Sequence, residues 1–231
     1  MKIAIHQPNF LPWLGYFHRM SLVDTFVLFD DVQFPRGKTI ISRVRIKSAN
    51  GACWITVPVK DKSGLRPINA VQIANEHRWQ DKLWRTIEAA YGKARYFEQY
   101  AGGLKRALFT DWERLVNLNA VLIKLMARHI GIDAQIVLSS TVSDSQLAGT
   151  EKIFDILRGL NATEYVTGCG EGSKRYIDPA DFERKGIRLI YQNFRHPEYP
   201  QLWGEFEAGL SAVDALFNVG ADGMRGLINV R

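Results

Sequence analysis

The sequence predicts an α/β protein: a Rossmann-like, mostly parallel sheet carrying a β-hairpin and a helical insertion. Three observations carry that prediction. The first 33 residues read as strand, loop, helix, strand, the length of one βαβ unit. An asparagine-glycine pair at Asn50-Gly51 separates two strand-like runs. From about residue 133 onward, short apolar runs again alternate with helical patterns.

Taken in order, Lys2-Ile3-Ala4-Ile5 is the first strand and Trp13 to Leu22 the first helix. Phe26-Val27-Leu28-Phe29 is a second strand ending on Asp30 and Asp31. Thr39 to Ser48 alternates at strand period, with Arg43 and Arg45 on one face, and Ala52 to Val59 answers it across the turn. Trp79 to Tyr91, about Tyr96 to Phe109 and Asp111 to Ile130 repeat apolar residues at helical spacing. Asp111 is the expected N-cap of the last and Gly131 its stop. Gln135 to Ser139 is a strand, about Gly149 to Leu160 a helix, and Glu164 to Thr167 a strand that runs into Gly168-Cys169-Gly170-Glu171-Gly172-Ser173. A short helix follows from Pro179 to Lys185, then a strand over Ile187 to Tyr191 and a last helix around Ser211 to Asn218. One α/β domain over residues 1–231, with the helical insertion at about 77–131, is the economical organisation.

Composition narrows the class. The 231 residues are 46% hydrophobic and 23% charged, as in an ordinary globular protein, with a net charge of +6 that is spread along the chain. That excess suits an anionic small molecule, and nucleic acid has only the basic pI in its favour. Cys53 and Cys169 are far apart and form no CxxC, so the expectation is two small buried residues, with neither disulfide framework nor zinc site. Met1 runs directly into a strand instead of a leader, and no apolar stretch approaches the roughly 20 residues of a membrane span. The cytoplasm is the expected compartment.

Ligands of open α/β sheets bind beyond the carboxyl ends of the strands, which selects the candidate site. His6 and Gln7 follow the first strand, where His6 would serve as general base or phosphate donor. Asp30 and Asp31 end the second strand and would bond a sugar or Mg²⁺, although neighbours on a strand face opposite ways. Arg43, Arg45, Lys60 and Lys62 are candidate phosphate ligands. Gly168, Gly170 and Gly172 would offer backbone donors, with Ser173 and Tyr176 as the useful side chains of that loop, although the spacing fits neither a Walker loop nor GxGxxG. His196 sits in a turn-rich aromatic segment with Tyr199 and Gln201 and is expected to return to the site. His18, His77 and His129 read as structural.

Five blocks together resemble the WbqC-like protein family: HQPNFLPWLGYFHRM at 6–20, DDVQF at 30–34, SRVRI at 42–46 with WITVPV at 54–59, YVTGCGEGSKRYID at 165–178, and HPEYPQLWGEF followed by LSAVDALFNVG over 196–220. Where the family's arginine-bearing block usually has asparagines, this chain has Ser42 and Val44. The resemblance implies genes placed among those for O-antigen and other surface polysaccharides, and it adds Gln33 and Asp214 to the candidate site. It further implies a transferase that adds an acyl or aminoacyl group, such as glycyl, to a nucleotide-linked amino sugar. A remoter similarity links the first βαβ unit to nucleotidyltransferases of the HxGH type. Trp13-Leu14-Gly15-Tyr16 stands at the comparable place, with Gly15 matching and Trp13 and Tyr16 replacing the histidines. That layout implies a nucleotide pocket and keeps open an enzyme that activates a carboxylate with ATP and Mg²⁺. A non-catalytic binding module of a polysaccharide assembly complex is the remaining alternative.

Overall fold

A computed structural model of the protein describes residues 1–60, 65–170 and 177–228. Five parallel strands form the main sheet: β1 (Lys2–His6), β2 (Thr25–Leu28), β5 (Gln135–Leu138), β6 (Glu164–Thr167) and β7 (Arg188–Tyr191). Their spatial order is β5-β2-β1-β6-β7, so the chain winds outward from β1 first one way and then the other. This is the doubly wound arrangement, and its switch point lies between β1 and β6. The hairpin β3 (Arg43–Ser48) and β4 (Gly51–Thr56) forms a separate antiparallel pair. Gly51 takes φ 88° at its turn, a conformation that suits glycine.

Side-chain alternation along the strands divides the core between the two faces. Ile3, Ile5 and Val27 point to one face, where they pack on α5 (Gly149–Gly159) and α6 (Pro179–Arg184) through Phe154, Ile156, Leu157 and Phe182. Ala4, Phe26 and Leu28 point to the other. There α1 (Leu14–Ser21), α2 (Trp79–Tyr91), α3 (Phe97–Phe109), α4 (Leu115–Ile130) and α7 (Ala212–Leu227) build the larger core. His6 continues the parity of Ala4 and therefore faces α1.

Three expectations are corrected. The helix expected from Asp111 begins at Leu115. Over 111–114 the chain is extended because Ile73 N donates to Glu113 O (2.9 Å) and Leu115 N to Val71 O (3.0 Å). Its stop is as expected, with Gly131 left-handed at φ 77°. The last helix runs well past Asn218, through a break at Gly220 (φ 73°), where Tyr96 packs so closely that a Cβ would lie 3.0 Å from its ring. The cysteines are not both buried: Cys53 is half-buried and Cys169 exposed.

The irregular chain from residue 192 to 211 is fixed by a buried polar hub. Asp214, fully buried, accepts from Tyr91 Oη (2.8 Å) and Tyr199 Oη (2.9 Å), while Lys47 N donates to Tyr91 Oη (3.1 Å). Lys47 Nζ donates to Gln201 Oε1 (3.1 Å) and to the carbonyls of Gly204 and Glu205. Removing the shared acceptor would strand two buried hydroxyls. Asp214→Ala is therefore expected to cost about 3 kcal/mol or more of stability, read as a lower urea midpoint at unchanged slope.

Candidate functional site at the switch point

At the carboxyl end of β1 the His6 ring is packed edge-on against Tyr16 (centroids 4.8 Å apart) and Trp13 (5.6 Å). His6 Nδ1 lies 3.1 Å from Gln7 O, and Tyr16 Oη donates to the same carbonyl at 3.1 Å. Trp13 is the N-cap residue of α1, at the switch-point crevice; it makes no capping side-chain bond, and its carbonyl accepts from Tyr16 N (3.0 Å).

Beneath these rings lies Arg19, only 9% exposed. Its Nε donates to Gln192 Oε1 (2.9 Å), and among the described residues no carboxylate comes within ion-pair range of it. Burial lowers the guanidinium's pKa below its usual value, while the neighbouring Tyr165, Tyr16 and Cys169 oppose that shift. The same charge acts on His6. Burial first, and Arg19 second, push its imidazole down to about 3, against the pull of the Gln7 carbonyl. His6 is thus a neutral ring, and with Nδ1–H directed at Gln7 O its Nε2 is the acceptor. Tyr16 is pushed well above 10 by burial and remains a phenol.

Gly15 has a structural reason. A Cβ there would stand 2.7 Å from Trp13 Nε1 and 2.8 Å from Phe194, so the glycine lets Phe194 close on α1 and leaves no room there for a ligand. Phe194 carries the wall on to His196 (5.8 Å). The sequence alone does not connect His6 and His196, and the structure joins them through Trp13, Gly15 and Phe194. His196 Nδ1 lies 3.1 Å from Pro197 O, and its buried Nε2 has no hydrogen-bond partner. Gly168 is buried where β6 ends. Gly170 is exposed, and a Cβ added there would meet nothing within 4 Å. Lys62, Gly172, Ser173 and Tyr176 lie outside the described residues.

Several candidates have partners inside the protein. Asp30, 1% exposed, accepts from Ser139 Oγ (3.0 Å), Ser140 N (3.0 Å) and Ser140 Oγ (2.7 Å) and so ties β2 to the end of β5. Asp31 pairs with buried Lys152 of α5 at 2.6 Å. Neither is placed as an open metal or sugar ligand. Tyr199, Gln201 and Asp214 belong to the buried hub. Arg43 stacks on Trp54 at 3.5 Å, Arg45 pairs with Glu207 (3.2 Å) and Lys60 with Glu76 (3.7 Å), all on or beside the hairpin and apart from one another's partners. Gln33 is exposed and bridges to Pro67. Of the histidines read as structural, His18 is buried against Gln192 Nε2 (Nδ1 at 2.8 Å).

Residues 7–226 match the WbqC-like protein family. The chain belongs to that family. An uncharacterized protein of Mycobacterium tuberculosis (strain ATCC 25618 / H37Rv), Rv1507c, is 33% identical over 225 residues, spanning 96% of this chain and 95% of the relative. No solved structure matches the chain. The family match begins at Gln7 and so takes in Trp13, Gly15, Tyr16 and Arg19 of the crevice. Arg19 lies within the block that carries the family resemblance, but as a helical arginine it reads as a solvated charge, and its burial emerges only when β6 and β7 are set beside α1.

Because His6 is held neutral, its ring resonances are expected to stay constant between about pH 8 and pH 5 by NMR; an inflection near 6.5 would show an open ring. Between about 3 and 6.5 the unfolded chain binds a proton at His6 that the folded protein refuses. Stability from this group is complete above 6.5 and declines as pH falls through that window.

Proposed function

We propose that this protein is a transferase of surface polysaccharide biosynthesis that adds an acyl or aminoacyl group to the amine of a nucleotide-linked amino sugar. Membership of the WbqC-like family supports the setting. The observation that carries the chemistry is Arg19, a buried cation at the switch point flanked by His6, Tyr16 and Cys169. Such a charge attracts phosphate into the crevice beyond the strand ends.

In the transfer, the amine nitrogen attacks the acyl carbonyl carbon, the nitrogen–carbon bond forms and the bond to the donor's leaving group breaks. The nitrogen loses its proton at the tetrahedral stage, before that second bond breaks. His6 Nε2 accepts that N–H, first orienting the amine and then taking the proton as the nitrogen becomes acidic in the tetrahedral intermediate. In the free protein the ring is a weak base. A substrate phosphate paired with Arg19 offsets one of the two causes that lower its pKa, so the base strengthens when substrate is bound.

With purified protein, a nucleotide-linked amino sugar and a panel of acyl donors, His6→Ala is expected to lower turnover by on the order of 10²-fold. Nucleotide sugars are expected to raise the melting temperature where free sugars do not. Unchanged turnover in the variant would remove His6 from the mechanism, and nucleotide sugars that leave the melting temperature unmoved would remove the substrate class.

A further inference from the structure

Two large apolar side chains that the fold leaves in solvent share one small cavity. Trp54 is 49% exposed and Ile40 47%, and both line a space of about 70 Å³ together with Phe10, Pro12 and Trp13. Single apolar residues scattered over a surface need no explanation, but two that flank the same apolar recess form a place for something apolar to sit. Among the described residues that line it, Arg45 alone is charged, and its guanidinium is already paired with Glu207 (3.2 Å). Asn9 is at the wall too, yet both atoms of its carboxamide are shielded from solvent and so are not presented to the cavity.

The walls are held in place before any ligand arrives. Arg43 stacks on Trp54, its guanidinium carbon 3.5 Å from the ring centroid, and fixes the indole from one side. Phe10 N donates to Ile40 O (3.2 Å), Asn119 Nδ2 to Pro8 O (2.7 Å) and Ile41 O (2.8 Å), and Ala212 N to Pro12 O (2.8 Å). The loop after β1 and the approach to β3 are thereby tied to each other and to α4 and α7. A ligand is spared the cost of ordering them.

The chemistry of the walls selects the occupant. An apolar recess lined by no carboxylate favours aliphatic carbon and opposes an ammonium group, which would lose its water and gain no partner. Since a cavity of about 150 Å³ takes a benzene ring, this one has room for about two to four carbons. Trp13, one of its walls, packs edge-on against His6 at 5.6 Å, so the cavity adjoins the proposed reaction centre.

We propose that this cavity is an acyl pocket: it takes the tail of a short, uncharged aliphatic acyl group and so selects acyl donors over aminoacyl donors. Its part in choosing a donor rests on the transferase reading above. Its binding of a short aliphatic chain, and its refusal of an ammonium, do not.

Propionamide and glycinamide test the pocket directly, because they share a shape and differ in a methyl against an ammonium. Each would be titrated into the ¹⁵N-labelled protein at mildly acidic pH, with hexanamide as the longer chain, while the indole N–H resonances are followed. Propionamide is expected to shift the Trp13 and Trp54 resonances saturably, with an affinity on the order of millimolar for so small a ligand. Glycinamide should bind about tenfold more weakly or not at all, and hexanamide no more tightly than propionamide. Trp54→Ala, which removes a wall, and Ile40→Lys, which brings an ammonium to the mouth, should each abolish the response of Trp13; both positions are half in solvent, and an otherwise unchanged spectrum checks the fold. Glycinamide binding as tightly as propionamide, hexanamide binding more tightly, no response to propionamide, or a response unaltered in the two variants would each overturn the pocket. Transfer from acetyl and glycyl thioesters to a nucleotide-linked amino sugar separates the two readings. Trp54-dependent propionamide binding without transfer from either donor would keep the pocket and overturn the transferase; glycyl transfer as fast as acetyl transfer would keep the transferase and overturn the pocket's choice of donor.

Discussion

The site depends on one buried interaction, the side chain of Gln192 clasped between α1 and the ends of β6 and β7. Its Oε1 accepts from Arg19 Nε, its Nε2 donates to Gly15 O at 2.7 Å, and its backbone N donates to Thr167 O at 2.7 Å. Taking a guanidinium out of water is expensive unless its donors are satisfied, so this pairing is what allows Arg19 to stay beneath the strand ends. It also sets the distance of α1 from the sheet. A charge so placed then decides the chemistry above it, because it helps hold His6 neutral and leaves the crevice attractive to anions.

The opposite wall is built by different means. Residues 192 to 211 include no helix or strand, so their backbone groups need partners from elsewhere. Lys47 supplies them for Gly204 and Glu205, Trp203 Nε1 donates to Ala90 O (2.7 Å), and Asp214 anchors Tyr199. Those bonds seat Phe194 against Gly15 and bring His196 onto the wall. The hairpin is therefore part of the site's support, since Lys47 lies on β3 and the carbonyl of Arg45 receives the backbone N–H of Ser211 at the head of α7 (2.9 Å).

The fold was legible because strand runs and helical spacing are local signals. Trp79–Tyr91 and Glu164–Thr167 have the limits their patterns predict, and the strand-end rule leads to His6 from sequence alone. The site was legible only in part, for a physical reason. A polar residue after a strand looks the same in sequence whether it faces a ligand or another side chain, so Asp30 and Asp31 read as ligands although Ser139, Ser140 and Lys152 had taken them. Tyr199 and Asp214 are likewise engaged with each other in the buried hub. Arg19 and Asn9 drew no expectation at all, since a helical arginine and an asparagine in a proline-bounded loop look ordinary in sequence. Burial distinguishes them, and burial is set by elements far away in the chain.

The loop from Gln7 to Trp13 is where the protein keeps its unfavourable features together. A non-glycine residue at positive φ costs on the order of 1–3 kcal/mol, and an unpaired buried carboxamide costs a similar amount. Both occur within this loop, at Leu11 and Asn9, while the bonds from Asn119, Ser211 and Ala212 hold it in place. A loop under no functional demand would relieve such a cost by a single substitution at either position. Held rigid, it fixes Trp13 where its ring packs edge-on against His6.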